Sequence, residues 1–348
     1  MRALLHFPTY ALTALALAVP SAVLAAEPED APLYQTFDDW AVGCDNTRRC
    51  TALAAEEQTE GAGLIVQVTR EAGIDGALQV TLAANVAPTG APQLDGQPIN
   101  SALQKNREGQ YQTSGANAQA WLGEVRNGTR LSMPLADGPV SASLQGLNAA
   151  LLLMDSVQGR VGTPGALAEK GKREEKSVPA AVAAPKLAPF PKTQAMGAEE
   201  AQKLGGLVIK ATQHEWDQEL EEQQPPEASV YALDSKTALV LIRTSCGAYN
   251  CAYALYQTPR ALPVKPQPPT IQPLPWQGSD SAVSGSVSYD PLTGVLESFD
   301  KGRGIGDCGT HQTWRFNGKA FELRSMEMMA TCSGTPSQYW PTMWRSQE

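Results

Sequence analysis

An export signal followed by three short cysteine couples constrains this chain more than any other feature of its sequence. Disulfides form and persist in oxidising compartments, whereas the thiols of cytosolic proteins stay reduced. Each couple brackets a turn-like segment or a hairpin, so locality selects one pairing scheme among those that six cysteines allow. We therefore predict three structural disulfides, which join Cys44 to Cys50, Cys246 to Cys251 and Cys308 to Cys332.

The amino terminus has the three parts of a secretory signal peptide. Arg2 supplies a positive charge, residues 11–19 are apolar, and small residues precede a cleavage position near Ala25. The apolar run is much shorter than the roughly 20 residues that a membrane-spanning helix needs. We predict that residues 1–25 are removed, that the chain has no integral membrane anchor, and that the mature protein is periplasmic or secreted.

The charge balance of the chain excludes one class of partner. Asp and Glu number 36 against 27 Lys and Arg, which gives a formal net charge of −9 at pH 7. An acidic chain without a basic cluster repels phosphate backbones, so we predict no nucleic-acid partner. The hydrophobic content of 42% is ordinary and predicts a globular protein with a core.

The composition changes after residue 171, where a charged run, residues 172–176, is followed by a segment rich in proline and alanine. Such a segment favours extended polyproline conformations and contributes little to a core, which is typical of a semi-rigid linker. We predict an N-terminal domain over residues 33–172, a linker over residues 173–195 and a C-terminal domain over residues 196–348.

The predicted N-terminal domain is mostly strand-like, with segments separated by Gly, Pro and Asp turns. Apolar residues recur at helical spacing from Leu144 to Met154, where Asn148 is a candidate cap. Thr163 followed by proline predicts the start of a short helix through residue 170. We predict a β-sandwich or barrel closed by one or two helices. The predicted strands are residues 37–44, 64–70, 77–86 and 129–134.

The predicted C-terminal domain is an antiparallel α+β unit that begins with helical pieces, including residues 215–222. Asn317-Gly318 is the preferred dipeptide of a type I′ hairpin turn, and that register places Trp314 opposite Phe321. The whole chain is thus predicted to be mostly β with a few short helices. The predicted strands are residues 237–243, 252–257, 285–289 and 294–299.

No constellation in the sequence assigns catalysis, a metal or a cofactor, and we predict no residue for any of them. Zinc knuckles need closely spaced Cys or His and redox dithiols need C-x-x-C, and neither pattern is present. Asp307, Cys308 and His311 lie side by side like a thiol site, but a disulfide-bonded cysteine is not a nucleophile. A carboxylate pair for glycoside hydrolysis stays open, because sequence spacing does not reveal one.

Residues 302–307 form a glycine-rich segment that resembles a phosphate loop only superficially. The lysine and Ser/Thr of a P-loop are missing, and Asp307 breaks the dinucleotide-binding pattern. Lys301 and Arg303 stand where a calcium loop needs oxygen ligands. We interpret the segment as a turned connector and, together with the turn at residues 247–250, as the candidate binding loop. Its candidate residues are Gly302, Arg303, Gly304, Gly306, Asp307, Tyr249 and Asn250.

Several separate motifs resemble one bacterial envelope family. They are Phe37-Asp38-Asp39-Trp40, Cys44-Asp45-Asn46-Thr47 with Cys50, Ser143-Leu144-Gln145-Gly146, residues 154–160, Gly247-Ala248-Tyr249-Asn250, residues 301–309 and residues 340–345. Together they resemble the uncharacterised family known as domain of unknown function 1176. The N-terminal domain also resembles, more weakly, the invasion-associated locus B family. Neither resemblance implies known catalytic residues, so no site is carried over.

Two functions remain open from the sequence. The favoured hypothesis is a non-catalytic envelope protein that binds a protein or a cell-wall component through the candidate loop. The alternative is an envelope hydrolase that uses carboxylates. A cleft that holds two close carboxylates with perturbed pKa values would favour the enzyme, whereas a protruding loop would favour binding.

Overall fold

The computed structural model describes residues 30–56, 63–191, 195–216, 225–275 and 283–348. The predicted signal peptide, residues 1–25, lies outside the described residues. So do residues 217–222 of the predicted helical piece and residues 192–194 of the predicted linker. Within the described ranges, no helix is long and apolar enough to cross a membrane.

The chain is mostly β with few helices, as the sequence predicts. Among the described residues, strands form sheets of seven, four and eight members, and three α-helices accompany them. All paired strands within these sheets run antiparallel. Short apolar segments punctuated by Gly, Pro and Asp favour this arrangement, because tight turns can join only antiparallel neighbours.

The N-terminal half contains two of the three sheets and two helices. Its elements are β1 Leu33–Phe37, β2 Trp40–Cys44, β3 Cys50–Ala54, β4 Ile65–Arg70, β5 Leu78–Ala83, β6 Gln93–Leu94, β7 Gln97–Pro98, β8 Gln104–Lys105, β9 Tyr111–Ser114, α1 Gly115–Val125, β10 Arg130–Met133, β11 Val140–Ser143 and α2 Leu147–Val157. The larger sheet has the order β1-β2-β3-β4-β5-β9-β8, and the smaller has the order β11-β10-β6-β7. Both helices bury one face in a shared apolar core with Trp40, Trp121 and Leu147.

Two local predictions in this half differ from the structure. The predicted strand 37–44 is confirmed over β2, Trp40–Cys44, but it begins too early, because Asp38 adopts a positive φ of 44° and reverses the chain between β1 and β2. The predicted helix 163–170 is a series of turns. Its Leu167 and Ala168 N–H groups donate to the buried carboxylate of Asp155 instead of to helix carbonyls. A buried acceptor therefore overrides the local helix signal.

The predicted helix near residues 144–154 is confirmed as α2, with a different start. The helix begins after Gly146, which has a φ of +92°. A Cβ atom at this glycine would lie 1.9 Å from the carbonyl oxygen of Phe37, so the position requires glycine. Asn148 lies inside the helix and does not cap it, and its side chain donates to the Arg126 carbonyl.

The C-terminal half is one eight-stranded sheet with a helix on one face. Its elements are α3 Ala198–Trp216, β12 Glu227–Ala232, β13 Thr237–Cys246, β14 Cys251–Pro259, β15 Ser284–Asp290, β16 Val295–Lys301, β17 Gly309–Phe316, β18 Phe321–Met329 and β19 Thr342–Arg345. The strands follow one another in sequence order from β12 to β19. Val208 and Trp216 of α3 pack on Val240 and Ile242 of β13. The opposite face buries Leu296, Trp314 and other apolar residues.

The hairpin between β17 and β18 does not have the predicted register. Phe316 pairs with Phe321, so residues 317–320 form the loop, and Trp314 pairs with Leu323 beside a bulge. The Asn317 side chain accepts hydrogen bonds from the Lys319 and Ala320 amides at 2.9 Å, which places it at the start of a longer turn. The aromatic cross-strand pair is consequently Phe316 with Phe321, whose ring centroids are 5.2 Å apart.

All three predicted disulfides are present in the structure. Cys44 pairs with Cys50, Cys246 with Cys251 and Cys308 with Cys332, and no cysteine among the described residues is free. The first two link the opposed ends of neighbouring strands, and the third joins the loop after β16 to the segment after β18.

The two halves of the chain share an interface. Trp340 is buried among Ala41, Leu53 and Ile65 of the N-terminal sheet. The Arg345 guanidinium lies 2.9 Å from the Asp45 carboxylate, and its backbone N–H donates to the Asn46 side chain. The stretch predicted as a linker also contributes, since Val178 and Leu187 are buried. The predicted domain boundaries stay a prediction.

Candidate functional site

Two loops lie together at one end of the C-terminal sheet, and we call them the loop pair. The first is residues 247–250 between β13 and β14, and the second is residues 302–308 between β16 and β17. A disulfide closes the first loop at its base, and another ties the second to Cys332. The loop pair contains the candidate binding residues that the sequence selects. Their role in binding a partner stays a prediction.

Asn250 joins the two loops. Its side-chain amide donates to Asp300 Oδ1 at 2.7 Å and to the Lys301 carbonyl at 2.8 Å. Its side-chain oxygen accepts from the Lys301 N–H at 3.0 Å. The carboxylate of Asp300 also accepts from Ser284 Oγ at 2.7 Å. Asn250 is therefore a positioning residue, because its polar atoms are engaged within the protein.

Arg303 and Asp307 close the second loop on itself. Arg303 donates Nε to Asp307 Oδ1 at 2.7 Å and Nη2 to Oδ2 at 2.5 Å. The Gly334 N–H donates to the same carboxylate at 2.6 Å. Burial alone would raise the pKa of Asp307, but these bonds and the Arg303 charge lower it overall. Asp307 is thus an ionised structural carboxylate.

Two glycines let the second loop turn tightly. A Cβ atom on Gly302 would lie 2.6 Å from the Cys308 sulfur, while the Gly302 N–H donates to the Cys308 carbonyl at 2.8 Å. Gly306 has a φ of +68°, which favours glycine over other residues. Gly304 borders the ring of Tyr249, since a Cβ placed there would lie 3.6 Å from Tyr249 Cδ1. The glycine-rich composition therefore serves backbone geometry.

Two large apolar side chains project from this tied framework. Ile305 is 70% exposed at the tip of the second loop, and Tyr249 is 44% exposed beside Gly304. The disulfides and the Asn250 bonds hold the backbone beneath them. A rigid loop with exposed aromatic and aliphatic side chains loses little conformational entropy when it binds.

The thiol and metal alternatives do not fit this arrangement. Cys308 is buried and bonded to Cys332, so it supplies no thiolate. Among the described residues, Asp307, Cys308 and Cys332 are the one group of three potential ligands that lie close together. Because both sulfur atoms are in a disulfide and Asp307 is bound to Arg303, the group does not suit a metal ion.

His311 lies between two glutamates on the sheet face next to the interface. Its Nε2 atom is 2.8 Å from Glu297 Oε1, and its Nδ1 atom is 3.3 Å from Glu327 Oε2. The nearby Glu327 carboxylate is the largest cause that raises the pKa of His311, and Glu297 adds to it against the effect of burial. An imidazole that lies between two carboxylates is stabilised in its protonated form, which makes it a poor general base.

The sequence does not reveal the two glutamates that lie beside His311. His311 pairs directly with Glu327 and with Phe299, two residues from Glu297 on the same strand face. The predicted hairpin register, with Trp314 opposite Phe321, would have placed Glu327 on the other face of the sheet, away from His311. No single segment predicts the arrangement, because each of the three side chains comes from a different strand.

We call the pair of glutamates beside His311, Glu297 and Glu327, the clamp, and we expect it to make the free energy of unfolding depend on pH. A histidine with a raised folded-state pKa adds stability below its unfolded pKa of about 6.5, and that stability is lost as pH rises through the folded pKa. His311→Asn should therefore lower the free energy of unfolding by about 1 kcal/mol at pH 5.5 and by less at pH 9. Urea denaturation across this range measures the difference. His214→Asn, at an exposed position, is the control. A loss of unfolding free energy in His311→Asn that grows with pH would contradict the role of the clamp.

The family-like motifs in the N-terminal half build the N-terminal core. Trp40 donates its indole N–H to the Ser143 carbonyl at 3.1 Å, and the Asp39 N–H donates to the Gln145 carbonyl. Gln158 donates to the carbonyls of Arg48 and Arg70, each at 2.9 Å. These contacts tie the first hairpin, β11 and α2 together. The fold therefore explains these motifs, whereas the motifs of the loop pair carry exposed apolar side chains.

Comparisons with known proteins identify similar sequences and one solved structure. A family model described as "Protein of unknown function (DUF1176)" matches residues 34–347. The uncharacterized protein YpfG of Escherichia coli (strain K12) is 30% identical over 334 residues, which cover 90% of this chain and 93% of YpfG. The crystal structure of invasion associated protein B from Bartonella henselae is 18% identical. The structural match covers 36% of this chain and 98% of the Bartonella henselae protein, with a TM-score of 0.26.

Proposed function

Because this chain belongs to the DUF1176 family, a family of proteins of unknown function, we propose its function from geometry: it is an exported, non-catalytic binding protein of the cell envelope. The loop pair is its contact surface, and a protein or a cell-wall component is its partner. The observation that carries the proposal is the exposure of Ile305 and Tyr249 on a backbone tied by two disulfides and by Asn250.

Export to an oxidising compartment is supported by the chemistry of the cysteines. The six cysteines are paired, and the Cys308–Cys332 disulfide connects a surface loop to the segment that leads to the interface between the halves. Disulfides of this kind are rare in a reducing cytosol. The sequence of residues 1–25 supports the same compartment, periplasmic or secreted, and a chain without an integral membrane anchor.

The alternative of a carboxylate-dependent hydrolase receives less support. Burial raises the pKa of Asp45 and of Asp155, the change that a general acid needs. Both side chains, however, are fully buried in the N-terminal half, and each accepts backbone N–H donors. A carboxylate that substrate cannot reach does not act as an acid, so we assign these two groups to the fold.

Site-specific photocross-linking tests the proposal. A photoreactive phenylalanine analogue is placed at position 305 and, in a control, at position 262, where Leu262 is 57% exposed after the far end of β14. We expect a discrete adduct from position 305 in periplasmic extract or isolated cell wall, and none from position 262. The double variant Tyr249→Ser with Ile305→Asp should weaken capture about 30-fold, since central apolar contacts contribute about 2 kcal/mol or more.

The outcome separates loop binding from general adhesion. If both positions yield the same adducts, or if the double variant captures as well as the unmodified protein, the loop pair is not the contact surface. Leu262→Asp is the matched control for the change in charge and should leave capture intact.

A further inference from the structure

A cleft of about 510 Å³ lies at the end of β16 that is remote from the loop pair. It is bordered by the turn between β15 and β16 and by the neighbouring ends of β17 and β18. Leu292 and Phe190 give it apolar walls, and Arg315 and Arg324 give it two cations. The cleft therefore combines apolar surface with guanidinium groups, which suits an amphipathic anionic ligand.

The Glu348 side chain shows which chemical group the two arginines bind. Its Oε1 atom accepts from Arg324 Nε at 2.8 Å, and its Oε2 atom accepts from Arg315 Nη1. The bond with Arg324 is the largest cause that lowers the pKa of Glu348. One carboxylate thus bridges two guanidinium groups, a geometry that is specific for planar carboxylate oxygens.

The two arginines differ in how firmly they are held. The Arg315 side chain is only 12% exposed, its Nη2 donates to the Ala188 carbonyl at 2.8 Å, and its buried Nε has no hydrogen-bond partner among the described residues. Arg324 and Glu348 are 41% and 63% exposed. Arg315 is therefore a fixed cation that needs an anion, whereas the present anion is held by exposed contacts that exchange easily.

The other acidic groups at the cleft are already engaged. Asp290 accepts from the Leu292 N–H at 2.9 Å and from Thr293 Oγ1 at 2.6 Å, and Glu297 is bound to His311. Leu292 is 88% exposed at the rim, where it is available for an apolar contact. An incoming carboxylate thus meets two arginines, and an apolar residue next to it meets Leu292.

We propose that this cleft is a recognition site for an acidic peptide segment, in which a Glu or Asp side chain binds Arg315 and Arg324 and an adjacent apolar side chain packs on Leu292. Glu348 is a tethered competitor that occupies the arginines until such a segment displaces it. A tethered group competes at an effective concentration of the order of millimolar, so its removal should tighten peptide binding about tenfold. This site is independent of the loop pair.

Peptide titration of the full chain tests the site. The probe is acetyl-Leu-Glu-Leu-amide, and its Gln counterpart is the matched control. Binding is followed through the Arg Nε–H resonances by nuclear magnetic resonance. We expect the Glu peptide to perturb the Arg315 resonance, Glu348→Gln to tighten its binding about tenfold, and Arg315→Lys to weaken it at least tenfold, because Lys lacks the planar fork.

Two further variants and a second probe complete the test. Arg324→Lys, at an exposed position, repeats the measurement if Arg315→Lys fails to fold, and the surface variant Arg243→Lys should bind normally. Equal binding of the Gln peptide, or no tightening in Glu348→Gln, would overturn the proposal. Equally strong binding of acetate would show a general anion site and would overturn the peptide assignment.

Discussion

Replacing Trp340 with alanine is expected to lower the free energy of unfolding by about 3–5 kcal/mol, the range for a buried tryptophan. Trp340 packs on Ala41, Leu53 and Ile65 of the N-terminal sheet and on Phe299 of the C-terminal sheet. Its indole N–H also donates to the Thr335 carbonyl at 2.8 Å. Because these contacts join the two halves of the chain, we expect denaturation of the variant to separate into two transitions.

Two controls distinguish loss of the interface from loss of an aromatic residue. Trp344→Ala removes a half-buried tryptophan whose indole donates within the C-terminal half, to the Leu323 carbonyl. It should lower stability less and leave the coupling between the halves intact. Trp340→Phe keeps most of the apolar contact and should restore a large part of the loss. An unchanged single transition in Trp340→Ala would show that the interface does not couple the halves.

The second large effect is expected for Asp155→Asn, which should cost about 3 kcal/mol or more of stability. Asp155 is fully buried at the end of α2, where its carboxylate accepts the Leu167 and Ala168 N–H groups and lies 3.9 Å from Arg70. Burial lowers the pKa of Arg70 to about 10, while Asp155 opposes that shift. Removing the negative charge leaves the buried guanidinium groups of Arg70 and Arg160 undercompensated.

Asp95→Asn is the matched control for this prediction. Asp95 also accepts the N–H groups of two consecutive residues, Thr129 and Arg130, but it is exposed. Water replaces its lost interactions, so we expect its substitution to change stability by less than about 1 kcal/mol. Guanidinium denaturation midpoints compare the two variants. Equal losses would indicate that hydrogen-bond geometry, and not buried charge, dominates at Asp155.

The sequence predicts an element correctly where residues close together in the chain determine it. The three disulfides follow from cysteine spacing, because each couple lies at the ends of a turn or a hairpin. Helix α2 follows from apolar residues at helical spacing, and β4 and β16 follow from short apolar runs bounded by turn residues. In each case the interactions that create the element are made by residues close together in the chain.

The incorrect local predictions have tertiary causes. Residues 163–170 carry a sound helix start, yet the Leu167 and Ala168 amides bind a carboxylate that the end of α2 places there. The register of the β17–β18 hairpin is shifted because Asn317 caps a longer turn and a bulge intervenes before Trp314. Both outcomes depend on which acceptor is nearest in space, and the sequence does not state that.

For the candidate site, too, the sequence indicates some of the residues but not the contacts between them. The sequence singles out the glycines of the second loop and Tyr249, since their pattern has no ordinary motif. It does not reveal that Asn250 bonds to Asp300 and Lys301, or that the bond with Arg303 makes the Asp307 carboxylate unavailable to a metal ion. It also separates Arg315 from Glu348 by more than thirty residues, although the two side chains form an ion pair.

By itself, the sequence determines the mostly antiparallel β architecture, the three disulfides and the position of an exposed, glycine-rich loop. These depend on side-chain alternation, turn residues and cysteine spacing, which act over a few residues. Only the tertiary structure decides that Trp340 and Arg345 join the halves, that His311 lies between two glutamates, and that two arginines share one carboxylate. The physical reason is that packing and ion pairing act through space between strands whose register the sequence leaves open.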